Sequence, residues 1–165
     1  MHLAERDRDP SRSANSRDGS TEEGPALRDT SVSVERAEAD EAEAAAARER
    51  FRIGPFPALE PDGDISHRLS DGESVHALRR RAILRSPGGD GALGYGGTLY
   101  LTSRRLIHLG QVVMSVKLID IEESSLAGER LLLTLRNGEG LTLDVDGPRL
   151  LRAELAAIVQ RVRGR

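Results

Sequence analysis

The chain has 165 residues, a formal net charge of −3, no cysteine, no tryptophan, and only two tyrosines and two phenylalanines. Without cysteine there are no disulfides, no zinc–thiolate sites and no cysteine nucleophile, and so few aromatic rings make no base-stacking platform for nucleic acid. Charge is unevenly spread: residues 1–50 hold 13 acids and 8 bases, net −5, and residues 51–165 hold 14 acids and 16 bases, net +2.

Residues 1–34 are rich in Ser, Asp, Glu, Arg and Gly with scattered apolar side chains, a composition that predicts a disordered acidic tail. The opening MHLAERDRDP lacks the apolar core of a signal peptide, and no run approaches the roughly 20 apolar residues that span a bilayer. The expectation is a cytoplasmic chain with no transmembrane segment, one that meets a membrane only peripherally, at its inner face. Residues 35–50 (ERAEADEAEAAAARER) are strong helix formers with acids early and arginines late, matching the helix macrodipole. They carry no apolar stripe, so a solvated helical spacer is predicted. Phe51–Asp64 holds three prolines and both phenylalanines and reads as an extended arm packed on a domain spanning 51–165.

From Ile65 onward short apolar runs alternate with turns, the pattern of antiparallel β structure. Ser74–Leu84 reads as a first strand, followed by a Gly-rich loop at Gly88–Gly97. Gly97–Gly110 (GTLYLTSRRLIHLG) reads as a hairpin that turns at Thr102–Arg105. Val112–Lys117 and Leu118–Leu126 supply two more strands, and Arg130–Arg136 pairs with Leu141–Val145 across Asn137-Gly138, residues that tolerate a positive φ. Beyond Asp146 or Gly147 as cap and Pro148 in the first turn, Leu151, Leu155, Ile158 and Val162 recur on one face of an amphipathic helix.

Three places carry a family likeness: LSDGESV (69–75), Gly97–Leu109, and LIDI (118–121). They resemble the corresponding stretches of GRAM domains and their bacterial pleckstrin-homology-like relatives. The resemblance implies a mainly β, seven-stranded bent barrel capped by one C-terminal amphipathic helix. It also implies a non-enzymatic module that binds anionic membrane lipids or, in the alternative, a protein partner. The basic pattern of the family's phosphoinositide binders is not matched, because Thr98–Leu101 contains no base.

Several constellations bear on chemistry. Arg79, Arg81 and Arg85 share one face of an unbroken strand and are the candidate lipid- or anion-binding residues, with Arg80 either marking a bulge or reaching the rim. Arg104 and Arg105 at the hairpin corner read as structural. Gly89–Gly94 spells G-x-G-x-x-G, but a strand rather than a helix follows it, so it is read as a hairpin loop. The histidines, His2, His67, His76 and His108, lack metal-ligand spacing. No nucleophile elbow or phosphate loop occurs, so neither an enzyme nor a cofactor or metal is expected.

Overall fold

The computed structural model describes residues 25–85 and 94–165. Its strands are β1 (Val75–Arg85), β2 (Gly94–Thr102), β3 (Arg105–Gly110), β4 (Val113–Lys117), β5 (Ile121–Ala127), β6 (Arg130–Leu135) and β7 (Gly140–Asp144). They form one antiparallel sheet in the order β4-β3-β2-β1-β7-β6-β5. The sheet bends but is not closed: β4 and β5 are its two edges, joined by a 3₁₀ turn at Leu118–Asp120 where a continuous fifth strand was expected. Helix α3 (Pro148–Arg163) crosses the hollow side and seals it. The strand that takes in Gly94–Gly97 also begins earlier than expected, and the rest of the Gly-rich loop, 88–93, lies outside the described residues.

The main core lies between the sheet and α3, where Leu99, Leu101, Leu106, Leu131, Leu133 and Leu143 meet Leu151, Leu155 and Ile158. Because side chains alternate along a strand, the other face of β1–β3 presents Val75, Tyr100 and Ile107 outward. That face is covered by Ile65 of the short helix α2 (Gly63–Ser66), with Leu69, Leu78 and Leu109 around it. Asp62 caps α2 through the Asp64 and Ile65 N–H groups and also accepts the Tyr100 hydroxyl. Burial, followed by this hydrogen bond and the carboxylate's charge, pushes the Tyr100 phenol up to about 12. The Pro-rich arm therefore packs on the sheet, and Leu59 N–H donates to the Val75 carbonyl.

Helix α1 (Pro25–Ile53) departs from the sequence expectation in both extent and role. It includes residues 25–34, which composition had placed in the disordered tail; residues 1–24 lie outside the described residues. Nor is 35–50 a free spacer, because Ala44 and Ala47 are fully buried where α1 lies along α3. Alanines need no apolar stripe to pack. Their small side chains let two helix backbones approach closely, so an interface forms that a search for large apolar residues passes over.

The N-terminus of α3 explains why the two helices lock. Its cap position, Gly147, sits at φ 65 and has no side chain to offer the free N–H groups of the first turn. Asp40, only 8% exposed, supplies the missing acceptors from α1: its carboxylate receives Arg149 N–H at 2.8 Å and Leu150 N–H at 3.0 Å. Replacing Asp40 with Ala should lower stability by about 1–2 kcal/mol in urea unfolding, the usual effect of losing a helix cap. Asp40→Asn, which keeps an acceptor, should retain part of that difference.

Candidate functional site

The arginines chosen from sequence do not converge. Between Arg79 and Ala82 the pairing of β1 with β2 slips, so Arg80 and Arg81 together oppose Thr98. This is a bulge, and it reverses the alternation of faces. Arg79 stays on the α3 side with Ala77 and Leu84, whereas Arg81 and Arg85 turn to the opposite side with Ile83. Arg79 is paired to Glu154 at 2.9 Å and donates to the Asp146 carbonyl, and Arg85 is paired to Asp144 at 2.7 Å. Arg81 is exposed, but the cavity of about 540 Å³ that it lines also holds Glu129, Asp144 and Asp146.

The hairpin corner is built by residues of the stretches 69–75 and 97–109. Glu73, whose side chain is fully buried, accepts two hydrogen bonds from Arg105 at 3.0 and 2.8 Å, one from Thr102 Oγ1 at 2.6 Å and one from Ser70 N–H at 2.9 Å. Thr102 Oγ1 in turn accepts Arg105 N–H at 2.8 Å, which fixes the turn between β2 and β3. Burial opposes ionisation of Glu73, but the hydrogen bonds from Arg105, Thr102 and Ser70 with the Arg105 charge outweigh it and hold the carboxyl at about 2. Arg105 is thus structural. Its neighbour Arg104 points the other way and is exposed, held by one hydrogen bond to the Asp71 carbonyl at 3.1 Å.

Arg104 opens onto a basic hollow at this end of the molecule. Two adjoining cavities, of about 530 and 330 Å³, share Ser103, Arg104, Val162 and Arg165 as walls. The first adds Lys117 and Ile119, and the second adds Phe56, His76 and Arg161. No Asp or Glu side chain occurs among the described residues that line either one. Arg161 is placed by a hydrogen bond to the Gly54 carbonyl at 2.8 Å and lies 4.5 Å over the Phe56 ring. Phe56 stacks on Phe51 at 3.8 Å, and His76 Nδ1 meets the Pro57 carbonyl at 3.0 Å. Lys117 and Arg165 have no ion-pair partner among the described residues, and both are exposed. Arg104 and Arg165 thus line both cavities, joined by Lys117 and Ile119 in the first and by Arg161 in the second, with Val162 offering apolar surface to both.

The sequence pattern singled out none of Arg104, Lys117, Arg161 and Arg165 as a ligand group, because they come from the β2–β3 turn, the end of β4, the last turn of α3 and the residue after its cap. One available signal was the arginine spacing 161-163-165 at the end of an amphipathic helix; another was the chain's single lysine at a strand end. Among the described residues no cluster of three or more His, Asp or Glu side chains is placed to hold a metal. His108 is buried between the Ala82 and Val112 carbonyls, and Gly97 is required there: a Cβ at position 97 would come within 2.8 Å of the ring.

No protein-family model matches the sequence, and no curated protein matches it significantly. Solved structures do. The Vps36 N-terminal PH domain superposes with a TM-score of 0.51 at 18% identity, covering 59% of this chain and 86% of that one. The fold is pleckstrin-homology-like. Two further structures superpose at a TM-score of 0.46: a C-terminal domain of an unknown protein from Leishmania infantum, at 13% identity over 55% of this chain and 87% of that one, and the linker-DH/PH domains of p115-RhoGEF, at 11% identity over 84% of this chain and 44% of that one. In this PH-like chain α3 seals the bent sheet, and α1 lies along it. No helix among the described residues is long and apolar enough to cross a membrane.

Proposed function

We propose that the chain is a non-catalytic, GRAM-like binding module that attaches to anionic membrane lipids from the cytoplasmic side. One observation carries the reading: Arg104, Lys117, Arg161 and Arg165 line two adjoining hollows that also present Val162 and Ile119, with no Asp or Glu side chain among the described lining residues. Cations at a lipid surface each contribute on the order of 1 kcal/mol, and the attraction weakens with salt. Arg79 and Arg85 are neutralised by Glu154 and Asp144, and they support the fold rather than the contact.

Flotation of the full chain with phosphatidylcholine vesicles, with and without phosphatidylglycerol, tests this. Binding is expected only to the anionic vesicles and should fall at high salt. The triple variant Arg104→Glu, Lys117→Glu and Arg165→Glu should bind about a hundredfold more weakly, with a nearly unchanged melting temperature because all three side chains are exposed. If the anionic vesicles were not bound, the module would instead be a protein-binding adaptor.

A further inference from the structure

The direction of α1 relative to the basic hollow gives the membrane reading a geometry. Contacts between the two helices advance together: Asp40 meets Arg149 and Leu150, Arg48 and Phe51 share a cavity with Ala153, Ala157 and Gln160, and the Gly54 carbonyl meets Arg161. The helices therefore run parallel, and both C-termini lie at the hollow. The 15 residues before Asp40 continue past the start of α3 for about 22 Å at ~1.5 Å per residue. Charge follows the same axis. Residues 25–43 of α1 hold six acids against two bases, Arg28 and Arg36, whereas the hollow end gathers Arg104, Lys117, Arg161 and Arg165; Arg48 and Arg52 beside it are paired with Glu41 and Glu49.

Two large apolar side chains stand out at the basic end: Ile53, 74% exposed at the last residue of α1, and Ile119, 37% exposed on the wall of the hollow. Apolar tips ringed by arginines fit the boundary between lipid headgroups and acyl chains, where the tip is buried and the guanidinium groups stay among phosphates. Resting on the membrane reading above, we infer that Ile53 and Ile119 insert into an anionic bilayer surface while α1 stands away from it. The helix then acts as a mast whose first residue, Pro25, points away from the lipid, and the acidic half of α1 is kept away from like-charged headgroups.

The absence of native cysteine allows a direct test. Single-cysteine variants of the full chain at Ile53, Ile119, Val34 and Val113, labelled with an environment-sensitive fluorophore, are mixed with phosphatidylcholine–phosphatidylglycerol vesicles. Val34 lies on the overhang of α1 and Val113 at the far end of β4 from Lys117, and both are exposed. Labels at positions 53 and 119 should brighten several-fold and be quenched by nitroxide lipid; those at 34 and 113 should not respond. Unlabelled Ile119→Asp should bind about tenfold more weakly, with Val113→Asp unaffected. Silent labels at 53 and 119 on vesicle-bound protein, or a response at 34 or 113, would overturn the orientation and leave membrane binding standing. Failure of the unlabelled chain to float with anionic vesicles would overturn both.

Discussion

Glu73→Ala is expected to lower the unfolding free energy by about 3–5 kcal/mol, the range seen when one partner of a buried ion pair is removed. Its carboxylate accepts from Arg105, Thr102 and Ser70, so the truncation takes away the acceptor of the Arg105 Nε and of the Ser70 N–H and leaves the guanidinium only the Arg68 carbonyl and the Thr102 hydroxyl only the Arg105 carbonyl. Urea unfolding followed by circular dichroism measures the loss. The contribution is also pH-dependent, with a definite sign. The Glu73 carboxyl is held at about 2 in the fold against an ordinary value of 4.5, so its stabilisation is fully present above pH 4.5 and is lost as pH falls toward 2. The native chain should shed on the order of 3 kcal/mol across that window. Glu73→Gln should show a correspondingly flatter profile there, and equal slopes for the two proteins would show that the pair contributes nothing.

Leu101→Ala should cost about 2–5 kcal/mol, because the side chain is 1% exposed between the sheet and α3 and its removal leaves a cavity. Glu139→Ala, at the exposed turn between β6 and β7, should shift the urea midpoint little. Equal and small shifts for the two variants would mean that the β2–β3 hairpin is not central to the core. The site variants are expected to behave in the opposite way, losing vesicle binding while keeping stability, so the two measurements separate scaffold from contact.

Local pattern alone was enough for the order of the seven strands and the C-terminal helix. Alternation in LTLDV, the Asn137-Gly138 turn and the 4-3-4 spacing of Leu151, Leu155, Ile158 and Val162 each depend on residues a few positions apart, and β6, β7 and α3 formed where those patterns placed them. The family-like stretches 69–75 and 97–109 were legible for the same reason, and tertiary contact showed what they are for: Glu73, Thr102 and Arg105 close one hydrogen-bonded corner. Three features needed the folded chain. A single extra residue at Arg80–Arg81 reversed the faces of β1, which separated Arg79 from Arg81 and Arg85, and a period-2 reading has no means of locating such a slip. Helix α1 docks through two alanines and one aspartate whose partners lie more than a hundred positions away in α3. The basic hollow joins a turn, a strand end and a helix end that are distant in sequence, because charge concentrates where separate elements terminate at the same end of the sheet.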